Sequence, residues 1–154
     1  MRIAIGADHA GFTLKNDLAA QLTALGVPYT DFGTHGTESV DYPDFAAEVA
    51  LAVASGAYDR GLLVCGSGIG MAMAANKIAG IRAASVTDTE SAKLSRSHND
   101  ANVLALGARL TAPELAHQIL KVFLDTPFDG GRHVRRIAKI TQLDGSAPKR
   151  NHLD

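Results

Sequence analysis

Short apolar runs alternate along the chain with longer stretches whose apolar positions recur three or four residues apart. Residues 2–6, RIAIG, read as a first buried strand. Leu14, Leu18, Leu22 and Leu25 repeat at helical spacing and predict a helix over 12–25. Gly26 stands where a helix C-cap is expected. Residues 27–32 predict a second strand, and the polar stretch 33–43 a loop. Phe45, Val49 and Val53 lie four apart and predict a helix over 44–55, closed by Gly56. Residues 61–65, GLLVC, are the most apolar strand segment; a turn at 66–70 leads into a helix over 71–78. A fourth strand is predicted over 81–87, with Asp88 as N-cap of a helix running to about Ser97. A fifth strand covers 102–106. Thr111-Ala-Pro-Glu114 has the form of a capping box with Pro113 in the first turn, opening a helix that runs to about Leu124. A last helix spans roughly 131–143.

Strict alternation of strand and helix implies βαβ units and a parallel sheet. Right-handed crossovers then cover both faces with helices. The expected fold is α/β, a doubly wound three-layer sandwich with a five-stranded parallel sheet, built as one domain over residues 1–143 with a polar tail at 144–154. In such sheets ligands sit beyond the carboxyl ends of the strands. Asp8 and His9, Cys65 to Gly70, Asp88, and Gly107 to Arg109 all fall there.

Composition narrows the classes of function. The chain has 154 residues, 46% of them hydrophobic, and a net charge of −1. Neither a general nucleic-acid binder nor an anionic-membrane binder is implied. No run of about 20 apolar residues suggests a membrane span, and the first residues lack the pattern of a signal peptide. The single cysteine, Cys65, rules out an intramolecular disulfide and fits a reducing compartment. The expected location is the cytoplasm.

The candidate chemistry centres on Gly66-Ser67-Gly68-Ile69-Gly70. Glycines let backbone N–H groups converge, and the following helix adds its positive end, so the turn is a candidate anion hole. One reading is a nucleotide-binding module, with Asp88, 20 residues past Gly68, on a ribose. Against it, the spacing is G-x-G-x-G and the turn follows the third strand rather than the first. The other reading is an oxyanion site beside Cys65, since a helix N-terminus favours the thiolate form of a neighbouring cysteine. A free cysteine is otherwise a small buried strand residue. Asp8-His9 after strand one and His98-Asn99 at a helix end are candidate acid–base or phosphate-binding groups, or simply a solvated loop and a helix cap. Arg132 and Arg136, four apart near a helix N-terminus, share a face and suit a phosphate clamp or a solvated basic surface. Arg109 is a further candidate anion contact.

Five motifs in order, IGADHAGF, DYPDFA, CGSGIGMAMAANKIAGIRA, LSRSHNDANVLALGAR and GGRHVRRI, make the chain similar to type B ribose-5-phosphate isomerases, the group that also holds galactose-6-phosphate isomerase subunits. The resemblance covers roughly residues 1–143. It implies an aldose–ketose isomerase that interconverts ribose 5-phosphate and ribulose 5-phosphate through an enediolate. Cys65 is then the base between C2 and C1, and Ser67 assists the proton between O1 and O2; many relatives carry Thr at this position, and Ser67 keeps the hydroxyl. The turn amides of Gly66, Gly68 and Gly70 hold the enediolate. His98 opens the furanose ring with Asp8 nearby. His9, Arg132 and Arg136 bind the phosphate, and Tyr42, Asn99 and Arg109 line the site. The family pattern is a homodimer, or a homotetramer built from dimers, with active sites shared between subunits. No metal or organic cofactor is implied. Allose 6-phosphate, galactose 6-phosphate or a tetrulose phosphate are alternative substrates, with the loop at 33–42 and residues near Asn99 setting the sugar length.

Overall fold

A computed structural model describes residues 1–145 of the chain. Five strands, β1 (Ile3–Ala7), β2 (Tyr29–Asp31), β3 (Arg60–Cys65), β4 (Ala83–Ser85) and β5 (Val103–Gly107), form one sheet in the order β2-β1-β3-β5-β4. Every pairing is parallel. Helices α1 (Phe12–Ala24), α2 (Tyr42–Ala54), α3 (Ile69–Ala75) and α4 (Thr89–Ser97) make the four crossovers, and α5 (Pro113–Asp125) and α6 (Arg132–Thr141) follow β5.

Side-chain parity on the strands divides the core in two. Ile3, Ile5, Leu62, Val64, Leu104 and Leu106 face a layer built by α1, α4 and α5. Ala4, Leu63, Cys65, Val103 and Ala105 face α2 and α3. The alternation of a strand thus sends the Cys65 sulfur to the α2/α3 side. The three central strands, buried on both faces, are almost continuously apolar, as parallel strands are. No helix among the described residues is long and apolar enough to cross a membrane.

Several expectations change in detail. α2 begins at Tyr42 rather than 44, because Pro43 occupies its first turn, where a missing N–H costs nothing. α3 begins at Ile69, inside the expected turn. Leu25 is a C-cap and 47% exposed, so the apolar stripe of α1 ends at Leu22. The capping box does not form: Ala112 is the N-cap of α5 and makes no side-chain bond. Thr111 is buried one residue earlier, its Oγ1 without a hydrogen-bond partner among the described residues. Asp88 does cap α4, its Oδ1 accepting from Ser91 N–H at 2.7 Å. The polar tail lies outside the described residues beyond Gly145.

Candidate active site

Three chain crossings meet at the carboxyl rim of the sheet. Cys65 ends β3, Gly107 ends β5 and Ala7 ends β1. Ala108 N–H donates to Cys65 O at 2.8 Å, and Asp8 N–H to Val64 O at 3.2 Å, so the loops after β1 and β5 are bonded to the end of β3. Between them the glycine turn folds tightly. Gly68 has φ +77°, a left-handed conformation that glycine adopts without strain. It lies so close to β5 that a Cβ there would stand 2.9 Å from the Leu106 carbonyl carbon.

This turn delivers a backbone donor to the thiol. Gly68 N–H points at Cys65 Sγ, 3.1 Å away, although the side chain is only 4% exposed. Ile69 N–H reaches Ser67 Oγ at 3.3 Å, and α3 starts at that residue. The sulfur therefore sits beside converging amides and the positive end of a helix. A cavity of about 490 Å³ opens over it, bordered by Asp8, Tyr42, Cys65, Ser67, Gly70 and Arg109 among others.

Each wall has a local cause. Tyr42, at the start of α2, lays its ring on Gly70; a Cβ on Gly70 would lie 2.7 Å from Tyr42 Cζ. The Arg109 guanidinium lies over Gly66, its Nη1 at 3.3 Å from where a Cβ would be. Asp8 is buried, and its Oδ1 accepts from Gly11 N–H at 2.9 Å, which holds the carboxylate at the rim. His9 faces the loop before α2: Val40 N–H donates to its Nδ1 at 3.2 Å. With Nδ1 accepting, the ring hydrogen of neutral His9 sits on Nε2. Asp88 does not join this group; its carboxylate is taken up by the cap of α4.

The remaining expected residues gather at the other rim. α4 runs back along the sheet, so its C-cap His98 and the adjacent Asn99 lie near the start of β5. Asp100, with φ +44°, turns the chain there and holds Arg82 and Arg96 at 3.1 and 2.8 Å. Arg82 Nε also donates to Asn99 O at 3.2 Å. The His98 ring stacks on His133, centroids 4.4 Å apart. Arg132 and Arg136 flank His133 on the first turns of α6, exposed and free of salt bridges among the described residues. Strands rise about 3.3 Å per residue, so the five residues of β5 hold the two rims on the order of 15 Å apart. Within one chain, Cys65, Asp8, Tyr42 and Arg109 come together, and His98, Asn99, Arg132 and Arg136 form a second group elsewhere.

Two residues near these groups were not singled out from the sequence. His133 was legible only as part of a basic motif. Desolvation, followed by the charges of His98, Arg132 and Arg136, holds its pKa below the ordinary histidine value. Lys15 is fully buried and bonded to Asp31. Its signal was spacing: Lys15, Leu18 and Leu22 share a helical face. Among the described residues no group of three or more His, Cys, Asp or Glu side chains is arranged to hold a metal ion.

The family model described as Ribose/Galactose Isomerase matches residues 3–140. Ribose-5-phosphate isomerase B of Escherichia coli K12 is 49% identical over 143 residues, 93% of this chain and 96% of that protein. D-erythrulose-4-phosphate isomerase of Pectobacterium atrosepticum is 46% identical over 141 residues, 91% of this chain and 93% of that protein. The structure of Clostridium thermocellum ribose-5-phosphate isomerase B superposes with a TM-score of 0.94 at 51% identity, covering 95% of this chain and 99% of that one.

Proposed function

Because the chain belongs to the ribose/galactose isomerase family, we propose that it interconverts ribose 5-phosphate and ribulose 5-phosphate at the cavity over Cys65. The observation that carries this reading is the Gly68 N–H directed at Cys65 Sγ inside a turn of converging amides. A base and an oxyanion hole in contact are what enolisation needs. Cys65 takes the proton from C2 of the open-chain aldose, and the electrons move onto the C1 oxygen. The turn amides, through Gly70, hold the enediolate, Ser67 moves the proton between O2 and O1, and Cys65 returns its proton to C1. Atoms and electrons balance with no redox partner. One well-placed oxyanion donor contributes about 10²–10³ in rate.

The ring-opening group and the two phosphate arginines belong in this reading to the second rim. His98 opens the furanose, and Arg132 and Arg136 clamp the phosphate together with His9. Since His98, Arg132 and Arg136 lie on the rim away from Cys65 and His9 in one chain, a homodimer that sets the amino rim of one subunit against the carboxyl rim of its partner completes each site. The exposed α6, which buries none of its residues, supports such an interface. A tetramer of two such dimers is compatible with this arrangement. The lone free cysteine fits a reducing compartment, and we assign the enzyme to the cytoplasm.

The test is turnover by the purified full chain. Cys65→Ala should lose turnover by about 10²–10⁴, the usual contribution of a positioned base, while equilibrium binding of ribose 5-phosphate survives. Near-normal turnover in that variant removes Cys65 from the mechanism. Arg132→Ala should act mainly on KM, and an unchanged KM argues against the clamp. A second substrate, a four-carbon ketose phosphate, is favoured by the 46% identity to D-erythrulose-4-phosphate isomerase. A panel of four-, five- and six-carbon sugar phosphates ranks them by kcat/KM.

A further inference from the structure

Lys15 lies in the first turn of α1, where the helix dipole disfavours a cation, and its side chain is 0% exposed. All three ammonium hydrogens are placed. Nζ donates to both oxygens of Asp31, at 2.7 and 2.6 Å, and to the backbone carbonyl of Thr34 at 2.8 Å. Asp31 Oδ1 also accepts from Gly33 N–H at 2.8 Å. Buried ion pairs are weak stabilisers, because desolvation cancels most of their attraction. What this pair does that two apolar residues would not is grip a carbonyl of the loop.

That loop connects the pair to the substrate cavity. Its first leg is bonded to the end of β1: Thr34 N–H donates to Ala7 O at 2.7 Å and Ala7 N–H to Gly33 O at 2.6 Å. The segment from His35 to Ser39 then arches outward, over a hollow of about 590 Å³. Its second leg returns at Val40, whose N–H donates to His9 Nδ1. Tyr42, two residues further on, packs on Gly70. Lys15 therefore fastens one foot of an arch whose other foot orients His9.

We propose that Lys15, paired with Asp31, is a positioning residue. It fixes the 34–40 arch so that Val40 N–H stays on His9 Nδ1 and the His9 Nε2 hydrogen points to the phosphate end of the substrate. The role of His9 in this inference rests on the functional reading above. Lys15 itself touches no substrate.

The experiment uses the full-length enzyme and the double variant Lys15→Met/Asp31→Asn, which removes both charges, keeps the volume and leaves an acceptor for Gly33 N–H. It is expected to fold, with KM for ribose 5-phosphate raised about tenfold, the loss of one charge-assisted hydrogen bond, and with kcat within about threefold. Nitrogen-15 spectra of the His9 ring give the independent readout. Wild type should show the Nε2–H tautomer, and the double variant a mixture with Nδ1–H. A folded double variant with KM and His9 signals both unchanged overturns the proposal, as does a wild-type His9 protonated on Nδ1. Should the double variant not fold, Lys15→Leu/Asp31→Asn likewise leaves Thr34 O without its donor and is read in the same two ways. His9→Ala separates the two readings: if it leaves KM unchanged, the phosphate assignment of His9 fails, while the tautomer shift still tests the clamp.

Discussion

Gly70 has no room for a side chain, and that fact makes a sharp test of the cavity wall. A methyl group there meets the Tyr42 ring, which is 40% exposed and able to swing away. Gly70→Ala should therefore leave stability nearly unchanged, since about 1 kcal/mol of helix propensity offsets the displacement. It should lower kcat/KM by about tenfold or more by moving Tyr42. Parallel thermal melts and steady-state kinetics check both halves, and an unaltered kcat/KM means the ring has no part in the site. At this scale the sequence was informative wherever chemistry coincides with a strand end. Cys65 ends β3, Asp8 and Arg109 follow β1 and β5, and topology alone carries them to one rim. Lys15 was not legible as a site neighbour, because its meaning comes from Asp31 and Thr34, 16 and 19 residues away. Its spacing with Leu18 and Leu22 turns it inward but does not say what it bonds.

Helix ends decide how the elements stay in place, and they were the least legible part of the chain. Thr111-Ala-Pro-Glu114 has every residue of a capping box, yet the helix starts one residue later, with Thr111 drawn under the surface. The far end of α5 is held by a residue of another element: the Arg60 guanidinium donates to the carbonyls of Phe123 and Leu124. Burial, then the neighbouring Arg96, brings the Arg60 pKa down to about 10. Arg60→Ala should cost about 2 kcal/mol, because two helix-end carbonyls lose a charged donor, a change readable from urea denaturation. α6 gives a pH test. His133 is depressed below its ordinary value, first by desolvation and then by His98, Arg132 and Arg136. As pH falls below about 6.5, the unfolded chain takes up this proton before the folded one does. Docking of α6 therefore weakens on acidification and is fully restored above that range. Nuclear magnetic resonance titration of the His133 ring should give a low midpoint in wild type and a higher one in His98→Ala. Equal midpoints show that the stack does not act on His133.

For the whole molecule, the doubly wound order was readable because alternating strands and helices admit few topologies. What one sequence does not display is that the second group of site residues lies on the rim opposite Cys65. If each site takes Cys65 from one subunit and His98 from the other, Cys65→Ala and His98→Ala subunits complement each other. Equal amounts, exchanged to equilibrium, should recover about a quarter of wild-type activity, since half the dimers are mixed and each holds one intact site. Complete inactivity of the exchanged mixture places both residues in the same chain's site. The span of the sheet between the two rims also bears on dosage. A folded monomer then carries only half of each constellation, so turnover per chain obeys mass action. Diluting the enzyme below its subunit dissociation constant should silence it with every helix and strand intact. Reconcentrating it should restore activity at a rate that rises with the square of monomer concentration.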